Sequence, residues 1–138
     1  RVSSRNIRDE LLKEDSLLPA IYLTQKLDIA VVGIGYPNEK SAIMATGYFK
    51  ENEIESLIDR KVAGELCMQF YDIYGDTAPY KDDNNVIGMD ISMLRSVPRS
   101  IGIAGGVEKL RAVRGAINGH YINTLITDIE CAEALISE

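Results

Sequence analysis

The chain has 138 residues, 46% hydrophobic and 26% charged, the balance of a soluble globular chain long enough to close one core. Its net charge of −6, from 15 lysines and arginines against 21 acids, argues against a grip on nucleic acid by bulk electrostatics. The longest apolar run, Ile29 to Tyr36, is far short of the ~18 residues a membrane span needs, and no secretory signal is visible. The chain opens at Arg1 without a methionine, as an excised piece would. In chain order, the pattern predicts a helix over 5–14, capped by Ser4 with Ile7, Leu11 and Leu12 as its stripe. A second helix is expected after a Ser16 cap, with Pro19 in its first turn and Leu17, Ile21, Thr24 and Leu27 on one face. The β-branched run from Asp28 to Gly35 reads as a central parallel strand ending in a glycine-bearing loop.

Tyr36-Pro37-Asn38 is a turn, 42–44 a helical turn, and 51–61 a helix with Ile54, Leu57 and Ile58 on one side. From Gly64 to Tyr71 the residues alternate, which predicts one strand, followed by a polar segment over 72–85 that projects at the surface. A short strand is expected over 85–89 and a short helix over 90–96, stopped by Pro98. Ile101 to Ala104 reads as a strand buried on both faces. Gly105 and Gly106 follow, and then a helix carrying Val107, Leu110, Val113 and Ile117 at helical spacing, stopped at Asn118-Gly119. Thr124 to Thr127 is a further strand, and Asp128 caps a last helix whose Cys131, Ala134 and Leu135 pack inward. Alternating strands and helices predict an α/β domain with a mainly parallel, Rossmann-like sheet and flanking helices.

Ligands of open α/β sheets sit beyond the carboxyl ends of the strands, so the loops there carry the candidate site. Gly105 and Gly106 let the backbone approach an anion at a helix start, where N–H groups lack partners, and Lys109 adds a full charge. The same residues also fit a plain tight turn with a solvated lysine. Gly33 and Gly35 are a second pocket wall, or a place of close helix-on-strand packing. Glu65 starts its strand and either points into a cleft or is exposed. The two cysteines, Cys67 and Cys131, have no metal-ligand spacing and read as buried free thiols, which fits a reducing cytoplasm. His120 lies in a polar turn without a partner, a surface role. Gly33-Ile-Gly35-Tyr-Pro-Asn38 departs from the dinucleotide fingerprint at its third glycine. No cofactor, metal or catalytic residue is expected.

Several motifs together are far more specific than any one. In order they are Asp28-Ile-Ala-Val-Val-Gly-Ile-Gly35; Gly64-Glu65, opening a strand that runs to Tyr74-Gly75-Asp76; Val86-Ile-Gly88; Val97-Pro-Arg-Ser-Ile-Gly-Ile-Ala-Gly-Gly-Val-Glu-Lys109; and Leu125-Ile-Thr-Asp128. This order resembles the C-terminal effector-binding domain of SorC-type bacterial sugar-responsive transcriptional regulators, over nearly the whole chain. The resemblance implies a fold similar to ribose-phosphate isomerase, glucosamine-phosphate deaminase and the CoA-transferases. It also implies a phosphorylated sugar as effector, held partly by Gly105, Gly106 and Lys109. Homo-oligomers assembled through effector domains are implied as well, and DNA contact made only by a separate helix-turn-helix domain. Two departures stand out. No Gly/Thr-rich phosphate loop and no helix-turn-helix is present, so residues 1–138 read as a partial effector domain lacking its N-terminal portion. Glu65 stands where the family often has aspartate.

The leading reading is therefore a cytoplasmic ligand-sensing domain that performs no chemistry and needs only differential affinity between two states. The alternative is a sugar-phosphate isomerase or deaminase on the same fold. It would need a base and an acid from among Glu65, Asp72, Asp76 and Asp128.

Overall fold

The computed structural model describes residues 1–38 and 41–137, so that Glu39, Lys40 and Glu138 of the expected 1–138 domain lie outside the described residues. Two short helices, α1 (Arg5–Leu11) and α2 (Leu18–Thr24), lead into strand β1 (Ile29–Gly35). Then come α3 (Ala42–Ala45), α4 (Glu51–Asp59), β2 (Gly64–Leu66) and β3 (Gln69–Tyr71). Two 3₁₀ segments, Ala78–Tyr80 and Ile91–Ser96, precede β4 (Arg99–Ile103). A third, Val107–Lys109, runs into α5 (Leu110–Asn118), and β5 (Thr124–Ile126) and α6 (Ile129–Ile136) close the chain. The described strands form one mixed sheet in the order β3-β2-β1-β4-β5. Its centre is parallel: Ile29 to Gly33 lie beside Arg99 to Ile103, and Ile101 to Ile103 beside Thr124 to Ile126.

Local chemistry sets most boundaries as expected. The Ser4 hydroxyl accepts from Ile7 N at the head of α1, and the Asp128 carboxylate accepts from Cys131 N at the head of α6. Helix α2 differs: Leu17 holds its N-cap position with no side-chain bond, and Ser16 lies outside. Pro19 still serves its first turn, where its missing N–H is harmless. Ile58 is exposed, while Ile54 and Leu57 turn inward.

Helix α5 covers one face of the sheet. Its small inner residues, Ala112, Gly115 and Ala116, let it sit close. A Cβ on Gly64 would stand 2.6 Å from that of Ala112, and one on Gly115 would stand 2.5 Å from the Asp72 carbonyl oxygen. Tyr71 fixes the contact by donating its hydroxyl to the Ala112 carbonyl at 3.0 Å and packing against Tyr121, ring centroids 5.7 Å apart. Strand alternation sends Phe70 the other way, into a second cluster with Phe49, Ile54, Leu57, Val62 and Tyr80.

Five expectations need correction. The single strand over 64–71 is a hairpin, turned at Cys67 and Met68, whose φ values are 53° and 60°. Residues 85–89 form no strand. The segment 72–85 is no projecting flap, because Tyr80 is fully buried and Asn84 Oδ1 accepts from Phe70 N at 2.8 Å. Ile101 to Ala104 is not buried on both faces: Ile103 is 44% exposed, because no described helix covers that side. Cys131 is buried as expected, whereas Cys67, at the hairpin tip, is exposed.

Candidate functional site

The parallel centre brings the carboxyl ends of β1, β4 and β5 to one rim of the sheet, and the hairpin adds a charged side chain there. Gly35 pairs with Glu65 across the antiparallel β1–β2 contact. The Glu65 side chain lies over the Gly35 α-carbon, where a Cβ would collide with its carboxyl group. Its Oε2 accepts from Met68 N at 2.8 Å, across the hairpin turn. Burial pushes the Glu65 carboxyl above its usual range, against the opposing pulls of the Met68 N–H and the positive charge of Lys109. Burial first, and the Glu65 charge second, also push the Tyr71 phenol well up. Glu65 is thus a half-buried acid between the core and a lysine.

Lys109 is half-buried and ends the 3₁₀ turn that leads into α5. The preceding loop depends on Gly106, whose φ of 93° and ψ of 138° suit no side-chain-bearing residue. Its N–H donates to Asp128 Oδ2 at 2.5 Å, while Asp128 Oδ1 caps α6 from Cys131 N at 2.8 Å. These two bonds hold the Asp128 carboxyl below its usual range, the Cys131 bond being the larger cause. A Cβ on Gly105 would stand 2.9 Å from Asp128 Oδ2.

Of the six residues singled out from sequence, Gly35, Glu65 and Lys109 meet directly or through their charges, and Gly105 and Gly106 lie in the loop that leads to Lys109, against Asp128 and Glu108. Gly33 is apart from them, with open space where its Cβ would be. Asp128 joins the site from β5. A Thr-Asp pair ahead of a helical run marks a cap, but only the sheet order shows that the cap also meets the Gly106 loop.

The arrangement suits binding better than proton-transfer chemistry. Asp72 Oδ1 accepts from the N–H groups of Tyr74 and Asp76, each at 2.9 Å, and Asp76 accepts from Ala78 N at 2.9 Å. With Asp128 bonded twice and Glu65 bonded to Met68 N, all four carboxylates considered for catalysis accept backbone N–H groups in turns and caps. Among the described residues no group of three or more histidines, cysteines and acids could hold a metal ion. No helix among them is long and apolar enough to cross a membrane.

Comparison with known proteins gives the family. Residues 1–137 match the family described as "Putative sugar-binding domain". The chain belongs to the sugar-binding domain family of SorC/DeoR-type transcriptional regulators. It is 34% identical to the sorbitol operon regulator of Klebsiella pneumoniae over 94% of this chain and 41% of that protein. The full-length crystal structure of that regulator superposes with a TM-score of 0.82, covering 98% of this chain and 44% of that one. The transcriptional regulator LsrR of Escherichia coli K12 is 35% identical over 99% of this chain and 44% of its own. A domain from Vibrio fischeri, described as "Putative Sugar-Binding Domain of Transcriptional Repressor", gives a TM-score of 0.82 at 26% identity, over 99% of this chain and 55% of that one. The chain thus spans less than half the length of the curated relatives it matches. Those relatives are transcriptional regulators, not enzymes.

Proposed function

We propose that this chain is the effector-sensing part of a cytoplasmic, sugar-responsive transcriptional regulator. It binds a small phosphorylated sugar at the rim formed by Gly35, Glu65, Gly105, Gly106 and Lys109. The observation that carries this reading is the half-buried Glu65 facing the charge of Lys109 beside the Gly105–Gly106 loop. In this reading the lysine takes the phosphate and the carboxylate accepts from sugar hydroxyls. The names of the relatives support sugar-type effectors, and the acidic balance fits DNA contact made by another part of the protein. Ligand binding changes the packing of subunits in a homo-oligomer, and that change is the output.

Calorimetric titration of the full-length protein with sorbitol 6-phosphate, ribose 5-phosphate and glucosamine 6-phosphate, each beside its unphosphorylated sugar, tests the proposal. At least one phosphate should bind, and its free sugar should bind far more weakly. A charge-assisted bond to phosphate is worth about 1.5–3 kcal/mol, so Lys109→Ala should weaken binding about 10- to 150-fold. Arg111→Ala should bind as wild type, because Arg111 is exposed on α5, beyond the loop. Unchanged affinity in Lys109→Ala would reduce the Gly105–Gly106 loop to a turn. Conversion of any sugar phosphate to product would favour the isomerase or deaminase reading instead.

A further inference from the structure

A second cleft lies away from the rim, between α1, the start of β3 and the segment from Thr77 to Asp90, and has a volume of about 190 Å³. Three cations line it, Arg5, Arg8 and Lys81, against one carboxylate, Asp90. That balance runs against the chain as a whole, which has 15 basic residues to 21 acids. None of the residues proposed for the rim takes part in this cleft.

Local structure holds these charges together. Arg5 and Arg8 are three residues apart on α1, so their side chains share one face. Arg8 Nε donates to the Val86 carbonyl at 3.0 Å and Arg5 Nη1 to the Lys81 carbonyl at 3.3 Å, which fastens that face to the 81–86 segment. Among the described residues a single acid, Asp9, pairs with both guanidinium groups, at 3.8 Å from Arg5 and 2.9 Å from Arg8, and the Lys81 ammonium has no ion pair. The Arg8 side chain is only 18% exposed, so solvent screens its charge less than that of a surface arginine. The floor is pinned by buried Gln69, which donates to the Met89 carbonyl at 2.8 Å and accepts from Ile91 N at 3.3 Å. Asp90 Oδ1 accepts from Ser92 N and the Ser92 hydroxyl, at 2.9 and 2.6 Å, which leaves Oδ2 as its second acceptor.

We propose that this cleft binds a hydrogen phosphate group, either free or as the monoester of a small molecule. Three clustered cations repel one another, and a multiply charged oxyanion relieves that repulsion through charge-assisted bonds. Arg5 and Arg8 supply planar donor forks, and Lys81 a compact point charge. Asn84 adds a neutral donor, since its Nδ2 makes only a 3.5 Å contact with the Phe70 carbonyl. Asp90 sets the selectivity. Its carboxylate accepts from the hydroxyl of a protonated phosphate or of a polyol, and repels sulfate, which carries no proton at neutral pH. The bound phosphate ties α1 to the 77–90 segment. This site is separate from effector binding at the rim and stands whether or not that reading holds.

The test is calorimetric titration of the full-length protein with inorganic phosphate, glycerol 3-phosphate and sulfate at neutral pH. The protein carries Lys109→Ala, so that any binding at the rim is already weakened. Phosphate should bind saturably, and sulfate at least about 10-fold more weakly. Lys81→Ala alters an exposed side chain and should weaken phosphate binding about 10-fold or more. Lys13→Ala removes the same charge just past α1, outside the cleft, and should leave binding unchanged. Asp90→Asn keeps a capping oxygen for the 3₁₀ segment and should bring sulfate level with phosphate. Tighter binding of glycerol 3-phosphate than of phosphate would assign the cleft to a phosphorylated metabolite, and the reverse order to free phosphate. An absence of saturable phosphate binding, equal losses from Lys81→Ala and Lys13→Ala, or sulfate bound as tightly as phosphate before Asp90 is changed would each overturn the proposal.

Discussion

Two tight turns flank the rim, and they solve the same conformational problem in opposite ways. The loop between β4 and α5 places Gly106 at φ 93° and ψ 138°, a region open in practice to glycine alone. The hairpin between β2 and β3 places Cys67 and Met68 at φ 53° and 60°, in the left-handed region where side chains are tolerated at a cost. Two-residue hairpins of this kind usually carry Asn-Gly or Asp-Gly. The cost is borne here because the flanking strand is anchored on both sides: Phe70 and Tyr71 are fully buried, and Glu65 accepts from Met68 N. Glycine is thus imposed by the backbone at one turn, while at the other buried neighbours hold an unfavourable pair in place.

Substitutions can break this contrast. The largest effect is expected for Gly106→Ala, which forces a Cβ into a glycine-only conformation and against the Glu108 carboxylate. Urea unfolding should show a loss of about 1–3 kcal/mol. Met68→Gly should act in the opposite direction, adding about 1 kcal/mol of stability by relieving left-handed strain. A loss there would mean that the Met68 side chain contributes more than its backbone costs. Gly35→Ala sharpens the comparison, since here the glycine makes room for a neighbour and its backbone is an ordinary strand. The Glu65 carboxylate must swing away and lose its bond to Met68, which costs about 1 kcal/mol and weakens sugar-phosphate binding in the same titration.

The smallest effect depends on pH. Burial raises the Glu65 carboxyl above the ordinary 4.5, so the folded state binds that proton more tightly than the unfolded chain does. Below the ordinary value the penalty is absent, and it grows as pH rises through the folded value. Glu65→Gln should therefore be more stable than wild type near pH 7, with the advantage gone at about pH 4. Denaturation midpoints at the two pH values check the sign, and an advantage that persisted in acid would contradict it.

The parallel centre was legible because its strands are apolar runs of β-branched residues, each followed by a glycine loop or a helix cap. Strands β1, β4 and β5 lie within a residue or two of where those runs place them. The hairpin was hidden for a physical reason. The two-residue turn inverts the phase of alternation, so that Leu66 and Phe70 enter different clusters, but the residues from 64 to 71 read as one unbroken alternation and Cys67-Met68 carries none of the usual turn residues. For the proposed site, the residue pattern offers Gly35, Glu65, Gly105, Gly106 and Lys109 as separate candidates. Their meeting rests on the Gly35–Glu65 register, which follows from that hidden turn. The bare face was misread for a different reason, because a short apolar strand looks the same in sequence whether one of its faces is covered or both are.

Asp128 lends one carboxylate to two elements, Oδ2 to Gly106 N–H and Oδ1 to the first turn of α6. The usual Asp linkage applies: with its value held below the ordinary 3.8, both bonds are at full strength above that value and fail together as pH falls through the folded one. The loop beside Lys109 and the start of the last helix therefore behave as a single hinge with a single pin. An anion that takes the Gly106 N–H must dislodge that pin, and α6 loses part of its cap in the same step.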